Sequence, residues 1–188
     1  MSVPSAVVLF TLLASAAWFD LKSHRIPNWL NVTGIGVGLV LGAIDSLVPQ
    51  LISTSDWWSA LTLTEAITGL TLTGLLPLII YIAGSGGAAD VKLAWVMGVY
   101  LGWRGGCLAV WSAYLLAGLW GLSALVLTGR IWRLTGLYFR TGGHRLFPRR
   151  FVAPAAEEWN AYSDAYPMAP FYLAGGLLVM WARLRGVD

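Results

Sequence analysis

The chain has nine acidic side chains in 188 residues, and two of them, Asp20 and Asp90, stand where an apolar run meets a polar one. Asp20 closes the run Val3 to Phe19. Asp90 opens the run that follows the break Gly84-Ser-Gly-Gly-Ala-Ala. Two carboxyls within hydrogen-bond reach do not both ionise easily, so one proton is shared between them. The ionised partner can take a proton from water while the protonated one polarises a carbonyl. This chemistry hydrolyses without a metal or a cofactor, and none is expected. The plain alternative is that both carboxylates are solvated helix ends. Asp90 could then be an N-terminal cap, accepting free backbone N–H groups. Asp20 ends a helix, where the macrodipole disfavours negative charge, so Lys22, Arg25 or the loop backbone would have to compensate. The local backbone favours a shared site. Gly84, Gly86 and Gly87 permit close approach of another chain, and Pro27 fixes an extended entry into the next helix after Ile26.

Other polar residues form weaker patterns. Asp45 and Glu65 lie in or near apolar runs, toward the ends remote from Asp20 and Asp90, and are expected to be solvated at the interface. His24 and His144 are lone loop histidines without carboxylates at ligand spacing, so no metal site is expected. Cys107 is the single cysteine, which excludes a disulfide framework or a cysteine zinc site within one chain.

The elements that must hold these residues are membrane helices. Hydrophobic residues make up 57% of the chain and charged ones 11%, with mean hydropathy +0.70. An average soluble domain carries roughly a quarter charged residues, so a soluble globule and a disordered chain are both excluded. At about 20 residues per span the length allows about six transmembrane helices. The runs are Val3 to Phe19, Trp29 to Ile52, Ala60 to Ala83, a short run ending at Trp103, Cys107 to Thr128, and Pro170 to Trp181. Arg104-Gly105-Gly106 reads as the break between the fourth and the fifth. Gly34, Gly36, Gly38 and Gly42 give the second span a small-residue face. A turn at Ser53 to Ser59 carries Trp57 and Trp58.

With the N-terminus outside, Lys22, Arg25, Lys92 and the six arginines of the polar stretch at about 129–167 fall in the cytoplasm, leaving Arg104, Arg183 and Arg185 outside. The positive-inside rule selects this orientation. Asp20 and Asp90 then share the cytoplasmic rim. The expected architecture is an all-α, polytopic membrane bundle forming a single domain over residues 1–188. In the basic stretch Ile131, Leu134 and Tyr138 recur at helical spacing beside Arg130, Arg133 and Arg140. This suggests a helix on the inner leaflet with anionic lipids as its partner, and nucleic-acid binding is not expected.

Asp20-Leu-Lys-Ser-His-Arg-Ile-Pro-Asn28 resembles the D-x-x-x-x-x-I-P-N signature of the type IV prepilin peptidases, aspartic membrane proteases that trim prepilin leaders. Gly87-Ala-Ala-Asp90-Val-Lys92-Leu93 resembles their second signature, G-x-G-D-x-K-L, and Pro167-Met-Ala-Pro170-Phe171-Tyr-Leu-Ala-Gly175 is similar to the entry of their last helix. The resemblance implies that Asp20 and Asp90 are the catalytic pair and that Gly87 belongs to the loop admitting the scissile peptide. It matches Lys92 to the motif lysine, although an interfacial cation would read the same, and it includes Pro27 and Asn28 in the first signature. It implies a prepilin or pseudopilin substrate with a short basic leader, which Glu157, Glu158 or Asp164 would receive. The glycine usual before the second aspartate is Ala89 here, as it is alanine in the similar archaeal preflagellin peptidases. Larger relatives carry a cysteine-rich domain with N-methylation activity after the first helix. The short segment here resembles the peptidase-only form of Flp/Tad pili. Two other readings remain open: a small transporter or channel subunit with Asp45 and Glu65 on an ion path, and a non-catalytic scaffold of a pilus or secretion machine.

Overall fold

A computed structural model describes residues 3–47, 61–84, 86–146 and 167–185. Within these, the chain is all-helical: α1 Val3–Ser23, α2 Asn28–Leu47, α3 Leu63–Ile82, α4 Ala88–Leu127, α5 Arg130–Leu146 and α6 Ala169–Leu184. The turn at Ser53 to Ser59 and the stretch holding Arg149, Arg150, Glu157, Glu158 and Asp164 lie outside the described residues.

Four helices, α1 to α4, are long and apolar enough to cross a membrane. Their outward side chains confirm that their solvent is not water. Val32, Val40, Ile67, Ile82, Leu115 and Leu119 are all exposed, as expected of spans whose outer faces meet lipid. The protein is a multi-pass helical membrane bundle.

Helix α4 explains the short fourth run. Gly102 interrupts it with φ 63° and ψ 177°, a backbone region in which only glycine is unstrained. The chain folds back there. A Cβ at Gly106 would lie 3.0 Å from the Cα of Gly98, whereas eight residues along a straight helix span about 12 Å. The two legs, 88–101 and 103–127, are therefore about 21 Å and about 37 Å long. This corrects one expectation. The break is Gly102, and Arg104-Gly105-Gly106 is helical, because the conformation that reverses the chain needs a single glycine rather than a polar run.

Two smaller differences have local causes. α3 begins at Leu63 rather than Ala60, because Thr62 and Glu65 form a reciprocal capping box. On α2, Gly34, Gly38 and Gly42 are buried but Gly36 is exposed with nothing near it, since i, i+4 and i+8 share a face and i+2 does not.

Residues 3–116 and 167–185 form one compact unit. Its core joins Leu9 and Leu13 of α1, Leu93, Met97 and Leu101 of α4, and Tyr172 of α6. α1 packs on α6 and α2 packs on α3. Gly98 lies directly on the backbone of Gly69, so no side chain separates α4 from α3 there. The Tyr100 hydroxyl donates to the carbonyl of Gly34 at 2.9 Å, a buried polar tie between α4 and α2. The second unit contains the end of α4, from residue 117, and α5.

Candidate active site

Asp20 lies in the last turn of α1, and its helix is stopped close by. His24 adopts a left-handed φ of 49° and donates its N–H to the Asp20 carbonyl at 2.9 Å, a helix-terminating arrangement. The carboxylate itself is buried, with the residue 9% exposed. Its Oδ2 accepts the N–H of Ala169 at 2.9 Å.

The first turn of α6 makes this bond available. Met168 precedes the helix without a side-chain cap. Pro170 has no N–H, and the Phe171 N–H is already bonded to the Met168 carbonyl. Ala169 is thus the orphan donor of that turn, and Asp20 takes it from another helix. The positive end of α6 faces the carboxylate. The compensation expected from Lys22, Arg25 or the loop comes instead from a helix entry 149 positions away in sequence.

Asp90 is the third residue of α4. Its Oδ2 accepts the Gly87 N–H at 3.3 Å, and its own N–H donates to the Gly87 carbonyl at 3.1 Å. It therefore does act as an N-terminal cap, half of a capping box. Asp20 is near enough to exert a minor electrostatic influence on it, smaller than that of burial or the Gly87 bond. Gly87 is exposed beside it.

The other motif residues join the same end of the bundle. Lys92 donates from Nζ to Asn28 Oδ1 at 2.6 Å, tying the start of α4 to the start of α2. Pro27 accepts at its carbonyl from the Leu30 N–H at 3.2 Å, closing the first turn of α2. The structure thus gathers Asp20, Asn28, Asp90 and Lys92, from three helices, and adds the N-terminus of a fourth.

Buried polar groups that the sequence did not single out lie close by. Tyr172 is fully buried and packs edge-to-face on Tyr114, with ring centroids 6.2 Å apart and planes at 68°. Their hydroxyls are buried and near each other, and both lie near Asp90. Asn31, one turn beyond Asn28, is buried with Nδ2 unpartnered. An unpaired buried polar group costs about 1–3 kcal/mol, so Asn31 is an unusual lining for a lipid-embedded bundle. No advance signal marked them: Tyr172 is one helical turn from Ala169, whose role only the fold reveals.

Glu65 is absorbed by its capping box, where Oε2 accepts from the Thr62 N–H at 3.0 Å. The pattern T-x-x-E was legible in the sequence. Among the described residues no three His, Cys, Asp or Glu side chains gather as a metal-holding group.

A family model described as the type IV leader peptidase family matches residues 7–122, a segment that contains both aspartates. No curated protein and no solved structure matches the chain.

Proposed function

Because the chain belongs to the type IV leader peptidase family, we propose that it is a membrane aspartic endopeptidase that removes the leader of type IV prepilins or prepilin-like proteins, with Asp20 and Asp90 as its catalytic pair. The observation that carries this reading is the placement of Asp20. A buried carboxylate from α1 is seated on the N-terminus of α6, near enough to Asp90 at the start of α4 for its charge to act weakly there. One carboxylate accepts a proton from a water as its oxygen attacks the scissile carbonyl carbon. The other, holding the shared proton, donates it to the carbonyl oxygen. The tetrahedral intermediate then collapses with protonation of the leaving amine.

The remaining motif residues position this pair. The bond from Lys92 to Asn28 sets α4 against α2. Exposed Gly87 leaves the approach to Asp90 free of a side chain. The basic residues favour a cytoplasmic site in the inner membrane, where a leader would arrive while the pilin's apolar stalk lies in the bilayer. Four residues separate α1 from α2, which favours the peptidase-only form at this position.

The test is co-expression with a candidate prepilin, reading the leader by mass. The wild-type chain is expected to convert the prepilin to the mature mass. Unconverted prepilin from every type IV, Tad-like and pseudopilin substrate tried would sink the reading.

A further inference from the structure

Helix α5 stands outside the catalytic chemistry. Over Arg130–Leu146 its residues sort sharply by face. At 100° per residue, Ile131, Trp132, Leu134, Tyr138 and Phe139 fall in one arc. Arg133 and Arg140 fall opposite it, Arg130 lies at its edge beside Leu134, and Leu137, between Arg130 and Arg133, is buried. Ile131 and Leu134 are half-buried, whereas the other side of the arc is not packed away. Trp132 is 80% and Phe139 81% exposed, which in water would be among the most unfavourable placements on the molecule.

The chain before α5 restricts what can cover that arc. The second leg of α4 is about 37 Å long, more than the roughly 30 Å of a hydrocarbon core. It ends at Leu127, and only Thr128 and Gly129 separate it from Arg130. Gly129 turns with φ 67°. Two residues reach about 7 Å at most, so α5 begins close to the end of α4.

We propose that α5 is an in-plane anchor bound to anionic phospholipid. Trp132 and Phe139 insert among the upper acyl chains, and Arg130 and Arg133 sit at the level of the phosphates. Charge selects the occupant. A leaflet rich in anionic headgroups offers both an apolar layer for Trp132 and Phe139 and opposite charge for the flanking arginines. The inference does not depend on the peptidase reading.

The experiment uses the full chain in nanodiscs, with Cys107→Ala as background and a spin label at Phe139→Cys or at Arg133→Cys. Collisions with oxygen report lipid, and collisions with a water-soluble nickel chelate report water. In discs containing phosphatidylglycerol, the label at 139 is expected to favour oxygen several-fold and the label at 133 to favour nickel. The pair Arg130→Glu and Arg133→Glu, or discs of phosphatidylcholine alone, should move the label at 139 toward water. A label at 139 that is aqueous in both lipids overturns the proposal. So does a label shielded from both reagents, which would mean that protein covers the face. Equal insertion in neutral and anionic discs also overturns it, because the arginines would then play no part.

Discussion

At the scale of single residues, the account turns on how Asp20 is held. Its Oδ2 is the partner of the one orphan N–H in the first turn of α6. Asparagine keeps an acceptor oxygen at that point and alanine does not. Asp20→Ala should therefore cost about 1–3 kcal/mol of stability, seen as a lower thermal midpoint in detergent, while Asp20→Asn should cost markedly less. Equal midpoints for the two variants would remove the role given to the Ala169 bond. The identities of Asp20, Asn28, Asp90 and Lys92 were legible in the sequence because each is a chemically distinctive side chain in a recognisable spacing. The partner of Asp20 was not, since a backbone N–H has no identity of its own and only the fold brings residue 169 to residue 20. Tyr172 was hidden for a similar reason: one tyrosine in an apolar run reads as core until the fold sets its buried hydroxyl beside Tyr114 and near Asp90.

The elements were legible where hydropathy is long and uniform, as in α1 to α3, and ambiguous where a span is short. The first leg of α4 is about 21 Å, too short to be identified by length alone, and the arginine after it drew the break two residues too late. The feature that decides the matter is a backbone angle at Gly102, which composition does not encode. Gly102→Ala should destabilise the protein by about 1–3 kcal/mol, because φ 63° with ψ 177° is strained for any residue with a Cβ. Gly118 supplies the control. It lies in the same helix with nothing near it, and Gly118→Ala should be neutral or slightly stabilising. Thermal unfolding in one detergent compares the two, and similar midpoints would contradict the reversal at Gly102. The capping box at Thr62 and Glu65 shows the opposite case, in which a short pattern was present in the sequence and sets the helix start.

At the scale of the whole molecule, scarcity of charge does two things. It commits the chain to the bilayer, and it leaves few carboxylates to be sorted by depth. Glu65 is used by a cap, whereas Asp20 and Asp90 stand at one end of the bundle with Lys92 and Asn28. The proposed orientation puts that end in the cytoplasm. A phosphatase reporter inserted near residue 55 should then be active, and one near residue 150 inactive; the reverse pattern would place the site on the other face. Every part of the mechanism depends on the two carboxylates working as a unit. The most direct test is leader cleavage by the purified chain in nanodiscs, comparing wild type with Asp20→Asn and Asp90→Asn at equal, correctly inserted levels. The account predicts that each single substitution lowers the rate by about 1,000-fold or more, and that the double variant is no worse than either. A single variant that keeps more than about a tenth of the wild-type rate would contradict it, because that loss, about 1.4 kcal/mol, is too small for a group that moves the reacting proton.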